Sequence, residues 1–373
     1  MPNRNLTNAR KVKNDEFYTQ YSDIQKEIEA YLEYNPDVFR GKVVYCNCDD
    51  PFESNFFRYF VLNFNKLGLK QLITTSYKPS PVANTQLGLF GDDKTLAKSK
   101  GRPKVTANKF IINEVSDIDG DGEFNLKDVA KQLKANKHNE WTPLEGEGDF
   151  RSPECVKLLE QSDIVVTNPP FSLFREYLKQ LMDHDKKFLI IGAMNALKYA
   201  NIFPLIKGNK IWLGVSNGAK TYIKPDKTEQ KMGNTCWFTN IDHGRRHQPL
   251  PLMTKVEVIK FITKKPFQKY DNYDAIEVSQ VKNIPSDYKG AIGVPISFLD
   301  KYNPEQFEII GLGQGNLYRE LTLKGLSKEF VNNYYKNGGT GSISEDHPIL
   351  GYYNEDGKAH IPYMRIIIKH KKK

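Results

Sequence analysis

The sequence predicts an α/β fold built on a mostly parallel sheet with helices on both faces, followed by a C-terminal region of mixed, more irregular texture. Two observations carry this. Between residues 42 and 215, short β-type runs alternate with amphipathic stretches of helical period. Such alternation calls for crossover connections and parallel strands. After about Ile241 the strand-like runs are separated by Pro, Asn and Asp turns, which marks a second domain. The expected domains are residues 1–242 and 243–373.

The elements follow in order. Strands are expected at 42–48, 71–76, 109–115, 163–167, 187–192 and 210–215. Helical patterns occupy 54–65, 126–135, 173–183 and 194–206. Cys46 and Cys48 alternate in the first strand and should share a face. Residues 78–108 are rich in Pro, Gly, Ser and Lys and read as a long mobile loop. Residues 113–149 are polar and acidic, with one short helical segment. Further strands are expected at 237–241, 252–262 and 275–281. In open α/β sheets, ligands bind beyond the carboxyl ends of the strands, at the switch point. The loops after the first and fourth expected strands are therefore where chemistry should lie.

The bulk properties narrow the partners. The 373 residues carry a formal net charge of +9, which favours a polyanion. From Lys94 to Lys109 there are six basic residues and no acidic one, and the last nine residues carry five. Phosphate contacts need such clusters, and a solvated loop or frayed tail also tolerates them. No apolar run reaches the length of a membrane span. The polar, basic N-terminus is not a secretion signal, so a cytoplasmic location is expected. Cys46, Cys48, Cys155 and Cys236 form neither a disulfide ladder nor a paired zinc pattern, and no metal site is expected.

The strongest chemical signal is Asp163-Ile-Val-Val-Thr-Asn-Pro-Pro-Phe171. A buried strand runs directly into Asn168, Pro169, Pro170 and Phe171. Consecutive prolines fix φ and remove backbone donors, leaving a stiff turn with bare carbonyls. The Asn168 carboxamide and the Pro169 carbonyl can both accept from one amino group. Phe171 offers a flat face for stacking. Such a set binds a planar ring bearing an exocyclic amine and frees the nitrogen lone pair for attack.

A second site follows the first strand. Asp49 and Asp50 end it, and the chain turns through Pro51 and Phe52 into a helix. Backbone amides at a helix N-terminus can hold a carboxylate, and an acidic side chain can hold an ammonium or ribose hydroxyls. Helix capping by Asp50 and Ser54 is the simpler reading of the same residues. A third segment, Gly146-Glu-Gly-Asp-Phe150, places Asp149 and Phe150 shortly before the Asn-Pro-Pro strand, where they could bind an adenine amine and cover its ring.

Taken in order, these segments resemble the amino-methyltransferases that act on DNA. Lys13-Asn-Asp-Glu-Phe-Tyr-Thr-Gln20 is similar to their cofactor-binding lead-in, with Phe17, Tyr18 and Thr19 at its centre. Asp50-Pro-Phe-Glu-Ser-Asn-Phe56 resembles their first motif, D-P-F-x-G-x-G, with Ser54 and Phe56 in place of the glycines. The second strand ends in Thr74-Thr-Ser-Tyr77, without the acidic residue that usually binds the cofactor ribose. More narrowly, Cys46-Asn-Cys-Asp-Asp-Pro51, Gly233-Asn-Thr-Cys-Trp-Phe-Thr-Asn-Ile-Asp242 and Val294-Pro-Ile-Ser-Phe-Leu-Asp-Lys-Tyr302 resemble the EcoRI-type adenine-specific methyltransferases.

The resemblance implies a Rossmann-like methyltransferase fold, S-adenosylmethionine as donor and duplex DNA as partner. It also implies a cofactor site at Phe17–Thr19, Asp49–Phe52 and Asp149–Phe150, with Asn168 bordering donor and target. The C-terminal domain becomes a target-recognition region. Work in restriction–modification beside a cognate restriction endonuclease, or as an orphan or phage modification enzyme, fits that reading. A monomer or weak dimer is expected.

Other segments have rival readings. Asp117-Ile-Asp-Gly-Asp-Gly-Glu-Phe-Asn-Leu-Lys-Asp128 fits part of a calcium loop, but a polar turn capping the next helix explains it as well. Lys100-Gly-Arg-Pro-Lys104 resembles an AT-hook core, with Arg102 and Lys104 suited to a minor groove, and a solvated linker is the simpler reading. Arg245 and Arg246, inside His243-Gly-Arg-Arg-His247, could meet phosphates or guanine edges, and a structural turn explains them equally well. Whole-chain alternatives are transfer to a cytosine amine, RNA or a protein amide, and a nucleic-acid-binding protein with an inactive methyltransferase fold.

Overall fold

A computed structural model describes residues 18–48, 54–77, 107–118, 120, 124–135, 138–224, 228–313, 321–343 and 348–371. The chain forms two compact units: Met1–Ala196 with Leu213–His243, and Leu197–Trp212 with Gly244–Lys373.

In the first unit, helix α1 (Tyr21–Tyr34) precedes strand β1 (Val43–Cys46), and Ile24, Glu27, Ile28 and Tyr31 form its buried stripe. Helix α2 (Asn55–Leu62) is capped by Ser54, whose Oγ accepts from the Phe57 amide at 3.2 Å. The short α3 (Phe64–Leu67) ends at Gly68, whose φ of +62° is open to glycine. There follow β2 (Gln71–Thr75), β3 (Asn108–Ile112), α4 (Leu126–Ala135) and β4 (Glu140–Pro143). Helix α5 (Pro153–Gln161) opens with Ser152 as its cap and Pro153 in the first turn. Strand β5 (Ile164–Thr167) leads into α6 (Phe174–Asp183), which buries Phe174, Tyr177, Leu178 and Leu181, the 3, 4, 7 spacing of one helical face. Strands β6 (Lys187–Ala193), β8 (Gly218–Ile223) and β9 (Glu229–Thr239) complete the unit. The chain passes between units at α7 (Phe203–Lys207) and β7 (Trp212–Leu213).

The sheet order is β4-β3-β2-β1-β5-β6-β9-β7, with β8 also on β9. Only its centre is parallel. β2, β1, β5 and β6 run together, while β3, β4, β8 and β9 pair antiparallel. The sheet is therefore mixed, where the sequence suggested a mostly parallel one. Strand periodicity reveals that a segment is a strand and not its direction, and β2–β3 and β8–β9 are not joined by crossover helices. The chain leaves β1 towards β2 and later returns to β1's other side with β5, so the switch point falls between β1 and β5. The aromatic core includes Phe56, Phe57, Phe60, Phe110 and Trp237.

In the second unit, β10 (Ala275–Glu277), β11 (Ala291–Pro295), β12 (Phe307–Leu312) and β15 (Arg365–His370) form a sheet in the order β10-β11-β15-β12. A hairpin of β13 (Tyr352–Tyr353) and β14 (Ala359–His360), and helix α9 (Lys328–Lys336), lie in the same unit. The basic C-terminus is thus not a frayed tail through His370. It supplies an inner strand whose Ile366, Ile367 and Ile368 are buried, and Arg365 closes on the buried carboxylate of Glu277 with Nη2–Oε1 at 2.6 Å.

Three expected elements differ. Residues 252–262 were read as a strand but form helix α8 (Lys255–Glu257), continued by a π-helix at Val258–Thr263. Thr254 and Glu257 make a capping box, and this local nucleus overrides the β-branched composition. Residues 194–206 form not one helix but a 3₁₀ turn, Met194–Lys198, and then α7. Cys48 lies past β1 with φ +65°, which ends the alternation with Cys46. Cys46, Cys155 and Cys236 are buried as free thiols.

Candidate active site

The parallel register sets Val44 opposite Ile164 and Tyr45 opposite Val165. The ends of β1 and β5 therefore emerge side by side at the switch point. They are also tied there: the Thr167 hydroxyl donates to the Asn47 carbonyl, and the Tyr177 hydroxyl donates to Asn47 Oδ1. All three residues are buried. Burial, the largest influence, pushes the Tyr177 phenol well above its ordinary value, so it remains a donor.

Asn168 follows directly and is 9% exposed. Pro170, at φ −53° and ψ 125°, is extended, and its carbonyl accepts from the Leu173 amide at 2.9 Å. The turn then closes through the 3₁₀ segment Phe171–Leu173 into α6. Phe171 is half-buried and packs against the core of the first unit.

Helix α6 also organises the third segment. Gln180 Nε2 donates to the Phe150 carbonyl at 3.0 Å, and the Phe150 ring meets Tyr177 edge-on at 5.0 Å. Arg151 links Asp149 (2.6 Å) to Glu176 (2.9 Å). The hydrogen bond from Arg151 holds the Asp149 carboxyl below its ordinary value against the opposing effect of burial. Asp149 therefore already serves Arg151, beyond the adenine contact expected from the sequence. Gly148 fixes the same loop to the end of β2. It has φ +75°, and a Cβ there would lie 1.9 Å from the Ser76 carbonyl oxygen, a space only glycine fits.

The lead-in segment reaches the same region. Tyr18 bridges Ile223 through two backbone hydrogen bonds of 2.8 and 3.0 Å. Asn55 Nδ2, in the first turn of α2, donates to the Thr19 carbonyl at 2.8 Å. Thr19 and Thr74 are buried, and their hydroxyl oxygens have no hydrogen-bond partner. The departures from the first motif also gain a role: Ser54 caps α2, and Phe56 enters the core against Trp237 at 6.2 Å.

The expected residues are thus not all placed. Tyr18, Thr19, Asp149, Phe150 and Asn168–Phe171 belong to the first unit, on segments tied to β1, β2, α2 and α6. Phe17, Asp49, Asp50, Pro51, Phe52, Arg102 and Lys104 lie outside the described residues, as do several positions of the acidic 117–128 loop. Arg245 and Arg246 belong to the second unit. Arg246 is 7% exposed, stacked 3.6 Å over the Trp212 ring and bonded to Asn209. Arg245 is paired with Asp300. Asn47, Arg151, Tyr177 and Gln180 were missed. Their only sequence signal is position: one follows β1, one follows Asp149-Phe150, and two lie on the helix after the Asn-Pro-Pro turn.

The family model described as "Adenine-specific methyltransferase EcoRI" matches residues 5–371. The chain is 43% identical over 344 residues to the type II methyltransferase M.EcoRI of Escherichia coli, covering 87% of this chain and 93% of that protein. It is 38% identical over 320 residues to M.MpnI of Mycoplasma pneumoniae, covering 81% and 83%, and 34% identical over 320 residues to M.MgeORF184P of Mycoplasma genitalium, covering 81% and 84%. No solved structure matches the chain at a significant level.

Proposed function

Because the chain belongs to the EcoRI family of adenine-specific methyltransferases, we propose that it methylates the exocyclic 6-amino group of a flipped-out adenine in duplex DNA, with S-adenosylmethionine as the donor. The observation that carries this reading is the pairing of β1 and β5 at the switch point, with Asn168-Pro-Pro-Phe171 emerging from β5. The parallel centre of the sheet is the part a Rossmann-like methyltransferase fold needs, and we read the first unit as that catalytic domain. Residues 243–373, which make up most of the second unit, we read as the target-recognition region.

The carboxyl edge of the sheet suits the cofactor. Two buried hydroxyls, Thr19 Oγ1 and Thr74 Oγ1, lack protein partners there, and the glycine at 148 leaves a close backbone approach. Tyr18, Thr19, the Asp49–Phe52 turn and Asp149–Phe150 would hold the donor, with Asn168 bordering it. When bound, S-adenosylmethionine supplies an electrophilic methyl group.

The residues of the chain do the positioning. An adenine amine cannot be reached inside the duplex, so the base must leave the stack. Asn168 and the Pro169 carbonyl would accept both amine hydrogens and fix the nitrogen. Pro170 stiffens that carbonyl's position, and Phe171 would stack the extruded base. Holding amine and methyl in line supplies much of the rate, and no strong base is required. Arg102, Lys104 and Arg245 remain our assignments for DNA contact; Arg246 is committed to Trp212. We further propose work in restriction–modification with a cognate endonuclease, or as an orphan or phage enzyme, in the cytoplasm, as a monomer or weak dimer.

The test is label transfer. Incubated with tritiated S-adenosylmethionine and duplex DNA, RNA or protein, the chain is expected to label duplex DNA. Label confined to RNA or protein, or no label, would overturn the reading.

Gly148→Ala tests the cofactor side separately. It forces a Cβ into the Ser76 carbonyl and strains a left-handed φ, which costs about 1–3 kcal/mol. Titration calorimetry is expected to show S-adenosylmethionine affinity lowered by about tenfold, and parental affinity would remove the 146–150 loop from the donor site.

A further inference from the structure

The capped helix that the sequence disguised as a strand is the most exposed apolar element among the described residues. Across Lys255–Thr263, Val258 is the buried residue. Val256 is 71% exposed and Phe261 59%. Met253 and Ile262 beside them are also exposed. A soluble protein rarely leaves large apolar side chains clustered on one short element unless something covers them.

Two further features tell what that cover is. The first is charge. Within 253–265 four lysines stand against one acidic residue, Glu257, which caps Thr254 at 2.8 Å. Lys265 pairs with Glu355, and Lys255 lies over the Tyr288 ring with its amide on Asp287. Lys260, and Lys264 with its ammonium at 2.7 Å from the Lys260 carbonyl, are the cations offered beside the apolar side chains. The Lys260 ammonium lies 5.2 Å from the Phe261 ring centroid, so cation and apolar face are presented together. Exposed cations beside apolar side chains complement a duplex, whose phosphates flank stacked bases. The second is the backbone. The helix continues as a π-helix, with the Lys264 amide donating to the Ile259 carbonyl at 2.9 Å, and it ends with Lys264 at φ +59°. π-Helical turns are rare and are frequently found at functional sites. Here the widened turn is held by a capping box at one end and a left-handed residue at the other.

We infer that this element is a DNA-entry wedge: Phe261 and Val256 press between or against base pairs while Lys260 and Lys264 sit on phosphates. Apolar wedges of this kind unstack a base step and bend the duplex. This would lower the cost of extruding a target base. The inference rests on the DNA methyltransferase reading, and it assigns residues that lie outside the catalytic unit.

The full chain is assayed for tritium transfer from S-adenosylmethionine to a mixed-sequence plasmid duplex, with DNA and salt varied. Phe261→Ala is expected to raise the KM for DNA by about 10–100-fold, the effect of losing a base-stacking aromatic. The KM for S-adenosylmethionine and the thermal midpoint should stay at parental values. Phe261→Trp should retain the parental KM for DNA. Lys260→Ala with Lys264→Ala should flatten the dependence of log KM on log salt by about two, the slope of two lost phosphate contacts. If Phe261→Ala keeps the parental KM for DNA at every salt concentration, the wedge is wrong while the methyltransferase reading stands. Self-association that Phe261→Ala abolishes without changing that KM would assign the face to a second copy and also overturn the inference. If the parental chain transfers no label to the plasmid, the methyltransferase reading and the wedge both fall.

Discussion

Asn168→Ala is expected to lower methyl transfer by a hundredfold or more, the usual consequence of deleting a positioned polar group at a reacting centre. The side chain is 9% exposed, at the end of a strand held to Asn47 through Thr167. Two prolines follow it, so the backbone cannot readily shift another acceptor into its place. If Asn168 serves the amine as proposed, affinity for S-adenosylmethionine should remain close to the parental value. Asn168→Asp keeps an acceptor oxygen and should retain more activity than the alanine variant. Single-turnover kinetics with calorimetric donor binding reads both quantities. A purified Asn168→Ala variant that transfers at near-parental rate would remove Asn168 from the reaction.

Glu27→Ala is expected to destabilise the first unit by about 3 kcal/mol or more, because it leaves buried donors without their acceptor at about 1–3 kcal/mol each. The Glu27 carboxyl is fully buried on α1. It accepts from the Val215 amide at 2.8 Å, the Ser216 amide at 2.6 Å and the Ser216 hydroxyl at 2.6 Å. Trp237 Nε1 reaches the same hydroxyl at 3.1 Å. Gly214 makes room, since a Cβ there would lie 2.1 Å from Glu27 Oε1. Burial, the largest influence, pushes the carboxyl above its ordinary value although these donors favour the ionised form. A carboxyl raised in the folded state stabilises the fold below its unfolded pKa, and that contribution is lost as pH rises through the folded pKa. Denaturant unfolding at several pH values should show a lower midpoint for Glu27→Ala. Stability should also fall less steeply with rising pH than in the parental chain. An unchanged midpoint would mean that the three donors find water instead.

What the sequence revealed depended on whether the signal was local. The strand into Asn168-Pro-Pro-Phe171 was legible because hydrophobic run, proline pair and aromatic are contiguous. The helix at 126–135 was legible from its period. The antiparallel edges were not, because direction is decided by partners far away: β3 pairs β2 and β4, and β8 folds back on β9. The Thr254–Glu257 capping box was present in the sequence but masked by Val256, Val258, Ile259, Phe261 and Ile262, whose composition favours a strand. At the site, Asn47, Tyr177 and Gln180 act through contacts that span 120, 130 and 30 residues, which no periodicity encodes. Arg246 stacks on Trp212, 34 positions earlier, a contact no local pattern encodes. The basic C-terminus looked like a tail because Arg365 finds Glu277 only once β15 lies between β11 and β12.

The Asn168 turn is proposed to present an adenine amine for methylation. The most direct test of this role is the nucleoside composition of DNA from cells expressing the parental chain or Asn168→Ala, resolved by mass spectrometry. N6-methyladenine is expected with the parental chain and is expected to be lost with Asn168→Ala at equal protein level. N4-methylcytosine in place of N6-methyladenine, or equal N6-methyladenine from both proteins, would contradict it.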